Sequence, residues 1–279
     1  MRNVPGRRVS VGGKEIYLEE AGNGDTCVVF ESGAGAGRTM WDSVVPLLTD
    51  VARTVTYDRA GRGRSGPAGH PQSIDEMAAV LVDLVAELAP KRLILVAHSM
   101  GGLVVRRAIE KMSPTPLGLV LIDGTPETAP VYDDWSPRVA KTDRIIAVQQ
   151  VLFRVRPLAR LLTHPYSRIF PADAYATMLE EDFTPAGLAQ TRNDIRAVAD
   201  AIGEFRSRPP QLPSHCAVTV IVSSRANRLQ ARNFDTLHEY QQRYAEEVGA
   251  QFEEVDSEHI VPAEQPGPIA EAVRQLLGR

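Results

Sequence analysis

Four short runs in the first half of the chain are apolar or β-branched on nearly every residue: Thr26–Glu31 (TCVVFE), Arg53–Tyr57 (RTVTY), Arg92–Ala97 (RLILVA) and Leu117–Ile122 (LGLVLI). Successive side chains of a strand point to opposite faces. A strand that is apolar throughout must therefore be covered on both, the condition of a parallel sheet between layers of helix.

The intervening segments carry helical spacing. Ser73 and Glu76 form a capping-box pattern ahead of Met77, Val80, Leu81, Leu84, Val85 and Leu88, which places these side chains on one face of a helix. Met100–Met112 reads as a second helix. The rhythm breaks after Gly124. Residues 127–211 hold no strand pattern, only helical segments punctuated by Pro157, Pro165, Pro171 and Pro185. One of these segments has Ile145, Ile146, Val148, Val151, Leu152 and Val155 as its apolar positions. Strand pattern resumes at Ala217–Val222 and Gln251–Val255, with helices near Phe234–Val248 and Pro268–Leu277. The expectation is an α/β fold: a mostly parallel, doubly wound sheet with right-handed crossovers, core residues 1–126 and 212–279, and an all-helical cap inserted at 127–211.

Composition narrows the function. The net charge of −4 argues against nucleic acid as a main partner, because phosphate binding needs concentrated positive charge. The one basic cluster, Arg59-Ala-Gly-Arg-Gly-Arg64, is short and glycine-rich and reads as a loop. Cys27 and Cys216 offer neither a disulfide framework nor metal-ligand spacing, and read as small buried hydrophobes. Met1–Ser10 lacks an apolar signal segment, and no run approaches the roughly 18 apolar residues of a membrane span. The expectation is a cytoplasmic protein acting on a small molecule, with oligomeric state left open. Gly33-Ala-Gly-Ala-Gly37, with Asp58 ending the next strand, invites comparison with a dinucleotide-binding turn. That turn needs glycine in the third place of G-x-G-x-x-G; here the place falls on Arg38 or Met40. No cofactor and no metal are expected.

The strongest local signal is Leu95-Val-Ala-His-Ser-Met-Gly-Gly-Leu103, where a buried strand passes into a helix within two residues. A serine in so sharp a turn is held in strained backbone geometry with its hydroxyl clear of the sheet. The positions two before and two after it must be small, and they are Ala97 and Gly101. Ser99 needs a base. His259, in Asp256-Ser-Glu-His-Ile-Val-Pro262, follows the last strand and can reach the same sheet edge.

With these residues in place the chain resembles the α/β-hydrolase fold family. The resemblance rests on four stretches in order: Phe30-Glu-Ser-Gly-Ala-Gly35, Tyr57-Asp-Arg-Ala-Gly-Arg-Gly-Arg-Ser65, Ala97-His-Ser-Met-Gly-Gly102 and Ser257-Glu-His-Ile-Val-Pro262. It implies Ser99 as nucleophile and His259 as base, with His98 structural. It also implies an oxyanion hole from the backbone N–H groups of Met100 and Ala34, the latter in a loop that reads Ser32-Gly33-Ala34 where many relatives read His-Gly-X.

The family's third member is a carboxylate that fixes the histidine tautomer. It usually follows the strand after the insertion, yet the turn near Ala226-Asn227, in the stretch Ser223–Arg228, has no acid, and Asp235 lies farther on in a helix pattern. Some relatives carry the acid at the end of the strand before the insertion, here Asp123. Asp123 ranks first, then Asp256, then a dyad without an acid. The implied function is a cofactor-independent serine hydrolase, esterase-like, cleaving a small or medium apolar ester or lactone. Trp135, Phe153, Phe170, Tyr175 and Phe183 are candidates for lining a lipophilic cleft. Alternatives are a ligand-binding homologue with little turnover, or a C–C bond hydrolase using the same three residues. An aspartate nucleophile would instead imply dehalogenase or epoxide chemistry.

Overall fold

The computed structural model describes residues 6–226 and 231–278. Met1–Pro5 and Arg279 of the expected core, and Asn227 and Arg228 of the expected acid-bearing turn, lie outside them. Eight strands form one sheet: β1 (Arg7–Val11), β2 (Lys14–Ala21), β3 (Thr26–Glu31), β4 (Arg53–Tyr57), β5 (Arg92–His98), β6 (Gly118–Ile122), β7 (Ala217–Ser223) and β8 (Gln251–Val255). Their order is β1-β2-β4-β3-β5-β6-β7-β8. From β4 onward every ladder is parallel, while β1–β2 and β2–β4 are antiparallel. The apolar runs therefore form the parallel part of the sheet. β1 and β2 extend it beyond the strands expected from sequence. Their signal was present as Val9, Val11, Ile16 and Leu18 alternating around Gly12-Gly13. Both glycines take positive φ, 55° and 70°, as a two-residue hairpin turn requires.

The core has two layers because β5 alternates. Leu93, Leu95 and Ala97 pack with helices α1 (Ile74–Leu88) and α2 (Gly101–Ile109). Ile94 and Val96 pack on the opposite face. α1 begins with a complete capping box: Ser73 Oγ accepts from the Glu76 amide at 3.2 Å and the Glu76 carboxylate accepts from the Ser73 amide at 2.8 Å. Such a cap contributes about 1 kcal/mol.

Between β6 and β7 the chain is helical: α3 (Ser136–Leu152), α4 (Arg156–Thr163), α5 (Ala172–Glu181) and α6 (Pro185–Ser207), with short 3₁₀ turns. Both ends of this excursion are tied down. Glu127 takes a bidentate buried ion pair from Arg106 of α2, at 2.6 and 2.8 Å. Arg206 of α6 donates to the carbonyls of Glu127 and Ala129. The expected apolar face of α3 needs correction. Ile146 is buried, but Ile145, Val148, Val151, Leu152 and Val155 are 36–60% exposed. After β7 come α7 (Phe234–Glu247), α8 (Val261–Glu264) and α9 (Pro266–Leu277); α9 covers the Ile94 and Val96 face. Cys27 and Cys216 are free and buried, and burial pushes both thiols up to about 11.

Candidate active site

Ser99 sits between the end of β5 and the start of α2 with φ at 53°. That left-handed conformation is strained for a residue with a Cβ. The amide of Ser99 donates to the Ile122 carbonyl of β6 at 2.9 Å, so the turn is still clamped to the sheet. The demand for small neighbours is explicit. A Cβ on Gly101 would lie 2.6 Å from the Glu31 carbonyl oxygen and 2.9 Å from that of Ser32. Ala97 is wholly buried.

The loop after β8 brings His259 over this turn. Its Nε2 lies 3.1 Å from Ser99 Oγ, and its Nδ1 lies 2.9 Å from Asp123 Oδ2. Asp123 follows β6 and is 6% exposed, itself at positive φ, 45°. Burial works to raise its pKa. The hydrogen bond and charge of His259, and two donors from Ser223, outweigh burial and hold it below the usual carboxylate value. Asp256 is turned out to solvent and pairs with Arg225 at 3.0 Å. Asp235 lies in the first turn of α7.

Ser223 ends β7 at the start of the stretch that lacks a carboxylate. Its amide donates to Asp123 Oδ1 at 3.0 Å and its hydroxyl to Oδ2 at 2.7 Å. Sequence reasoning missed this role, because a serine after a buried strand carries no mark of its partner. His98 packs against His259 with ring centroids 4.8 Å apart. Its Nε2 lies 2.8 Å from the His259 carbonyl. A carbonyl only accepts, so His98 carries its proton on Nε2 and steadies the backbone of His259. Burial, then the neighbouring His259, lowers His98 to about 3.

The loop Ser32–Gly37 is held from below and from the side. Ser32 Oγ donates to the Gly37 carbonyl and accepts from Trp41 Nε1. Arg59 donates to the carbonyls of Ser32 and Gly33 at 2.7 and 2.8 Å, and Arg62 to that of Gly35 at 3.0 Å. Asp194, on α6 and wholly buried, accepts from the Gly35 amide at 3.0 Å and from both arginines. The basic loop 59–64 is thus turned inward at Arg59 and Arg62. Burial pushes nearby Asp182 up to about 6, even with Arg62 at 3.2 Å. Gly35, at φ 79°, lets the loop turn here. Among the described residues the amides of Ala34 and Met100 donate no hydrogen bond. Met100 stands at the N-terminus of α2, an end that favours negative charge.

Ala34, Met100, Ser99, Asp123 and His259 line one cavity of about 220 Å³. Its apolar walls include Val131, Tyr132, Trp135, Ile195, Phe234 and Leu237. Trp135 is the one cap aromatic expected in a cleft that lines this space. Phe153, Phe170, Tyr175 and Phe183 pack instead into the apolar clusters of the interior. α7 supplies a wall that sequence reasoning did not foresee.

A model of the alpha/beta hydrolase family matches residues 28–272. The chain belongs to this family. It is 30% identical over 131 residues to a non-heme haloperoxidase of Rhodococcus erythropolis, covering 43% of this chain and 47% of that protein; the chain thus spans about half the length of that relative. It is 26% identical over 211 residues to 2-(acetamidomethylene)succinate hydrolase of Mesorhizobium japonicum, covering 72% and 73%. The fold of this alpha/beta hydrolase family member is also that of the enol-lactonase from Burkholderia xenovorans LB400, with a TM-score of 0.67, 20% identity and coverage of 98% and 100%.

Proposed function

We propose that the protein is a cofactor-independent serine hydrolase that cleaves a small or medium apolar carboxylic ester or lactone through an acyl-enzyme. The observation that carries this reading is the unbroken hydrogen-bond chain Ser99–His259–Asp123, open to an apolar cavity that two undonated amides also line. Ser99 Oγ attacks the acyl carbonyl as its proton passes to His259 Nε2. Asp123 fixes the Nδ1–H tautomer and stabilises the imidazolium. The Met100 and Ala34 amides take the negative charge of the carbonyl oxygen. Collapse expels the alkoxide, which leaves as the alcohol with the His259 proton; a lactone keeps this alcohol on the acyl chain. Water then gives a proton to His259 and its oxygen to the acyl carbon, releasing the acid and restoring Ser99.

The helices of residues 127–211 act as a cap in this reading. They supply Val131, Tyr132, Trp135 and Ile195 to the pocket wall. A volume of about 220 Å³ lies below the roughly 300–1,000 Å³ of sites for drug-sized ligands, which favours a short acyl or alcohol group. The likeness to the 2-(acetamidomethylene)succinate hydrolase of Mesorhizobium japonicum lends support to hydrolytic chemistry.

The test combines p-nitrophenyl esters of increasing chain length with a fluorophosphonate probe. The expected result is turnover of short esters, probe attachment at Ser99, and loss of both in Ser99→Ala. Equal inertness of wild type and Ser99→Ala, with Ser99 unlabelled, overturns the reading in favour of a ligand-binding homologue.

A further inference from the structure

α3 and α4 present an inverted amphipathic pattern. Ile146, Phe153 and Ala159 turn inward and pack with Leu188 of α6. The opposite side of α3 carries Lys141, Arg144, Ile145, Val148, Val151 and Leu152 at helical spacing, all exposed. Val155 continues it, and α4 adds Leu161, 69% exposed, and Leu162. Apolar side chains at i, i+3 and i+7 on a solvent-facing stripe are the reverse of an ordinary surface helix.

Charge says what the stripe fits. Residues 136–168 hold seven Lys and Arg and a single acid, Asp143, in a chain of net charge −4. Asp143 is already occupied by Arg192 and Arg196 of α6. Lys141, Arg144, Arg154, Arg160 and Arg168 are exposed and have no ion-pair partner among the described residues. In the core, by contrast, Arg38, Arg59, Arg62 and Arg64 each meet a carboxylate. No helix among the described residues is long and apolar enough to cross a membrane. A stripe of aliphatic side chains flanked by unpaired cations is the pattern of a helix that lies in a bilayer interface. A second copy of this chain is a poor occupant, since a two-fold contact sets the same patch against itself and would bring these cations together.

We propose that the outer face of α3 and α4 docks the protein on the surface of an anionic phospholipid bilayer, with Val148, Val151, Leu152, Val155, Leu161 and Leu162 entering the headgroup boundary. α3 starts beside Trp135, a wall of the Ser99 cavity, so docking brings the cavity near the lipid phase. The proposal does not depend on the chemistry assigned to Ser99.

The test is co-sedimentation of the full chain with vesicles of phosphatidylcholine, with and without phosphatidylglycerol, at low and high salt. The expected result is binding to the anionic vesicles only, weakened by salt. Arg154→Gln and Arg160→Gln should each cost about fivefold in affinity, and the double variant Val151→Ser/Leu161→Ser about tenfold. Ser99→Ala should bind as wild type, and the surface variants should keep wild-type turnover of a water-soluble ester. Absence of binding to anionic vesicles at low salt overturns the proposal. So does equal binding to neutral vesicles, or binding that neither set of variants weakens. Concentration-dependent dimerisation abolished by Val151→Ser/Leu161→Ser, without vesicle binding, would assign the face to a second copy instead.

Discussion

Ser223 gives both its backbone amide and its hydroxyl to the carboxylate of Asp123, one strand across the sheet, at 3.0 and 2.7 Å. The turn that lacks an acid thus supplies the donors that hold the acid of the neighbouring strand. On the proposed mechanism this pair fixes where the carboxylate meets His259 Nδ1. Asp123→Asn should lower kcat by roughly 10⁴, since an amide favours the wrong tautomer. Ser223→Ala keeps the amide bond and loses the charge-assisted hydroxyl bond, so kcat should fall about tenfold with KM little changed. Steady-state kinetics on a short ester measures both. An undiminished kcat in Asp123→Asn removes that residue from the chemistry.

Asp194 reaches from α6 to the Gly35 amide, and to Arg59 and Arg62 beneath the same loop. Asp194→Asn should loosen the loop that presents the Ala34 amide. The expected loss in kcat is about 10–100-fold, short of the roughly 10²–10³ for removing an oxyanion donor outright. Two buried arginines lose a charge partner, so stability should fall by about 3 kcal/mol. Urea denaturation alongside kinetics separates the two effects. A variant that is less stable but fully active would show that the loop holds its shape without Asp194.

Gly101 has no room for a methyl group, because the added carbon would lie 2.6 Å from the Glu31 carbonyl oxygen. That neighbour is backbone of a central strand and yields little. Gly101→Ala should destabilise the fold by about 1–3 kcal/mol and displace Ser99. Thermal unfolding and fluorophosphonate labelling rate report the two consequences. Unchanged values for both would mean that the crossing of β5 and α2 is looser than this packing.

His98 gives the chain an acid sensitivity of defined sign. Its folded pKa, lowered to about 3, lies below the ordinary 6.5. Between these values the unfolded chain binds more protons than the native one. Stability contributed by neutral His98 is therefore full above pH 6.5 and lost as pH falls toward 3. Asp123, also lowered, acts in the same direction below the ordinary carboxylate value of 3.8. His98→Gln can still donate to the His259 carbonyl, and should show a flatter decline in urea midpoint between pH 6.5 and 4. An identical decline in both proteins would mean that His98 titrates normally in the fold.

The parallel sheet, the capping box at Ser73 and the tight turn at Ser99 were legible because each is written in residues close in sequence. Strand burial, helix capping and the small-residue demand at Ala97 and Gly101 all act within a few positions. The Gly12-Gly13 hairpin is written just as locally, as a two-residue turn between alternating apolar positions, but was not among the strands expected from sequence. Asp123 was ranked before Asp256 on the family resemblance, since some relatives carry the acid at the end of the strand before the insertion.

What depended on tertiary structure joins residues far apart in the chain. Ser223 meets Asp123 across 100 positions and Asp194 meets Gly35 across 159, because neighbouring strands and an inserted helix converge on one edge of the sheet. The direction of the α3 stripe was also beyond the sequence. Helical spacing marks two sides of a helix, and the packing of Ile146 and Phe153 with Leu188 decided which side faces inward. The sequence by itself determined the strands of the parallel ladder, their order along the chain and the strained serine. The fold decided which distant polar groups meet and which apolar face is left uncovered, since both follow from long-range packing that no local pattern encodes.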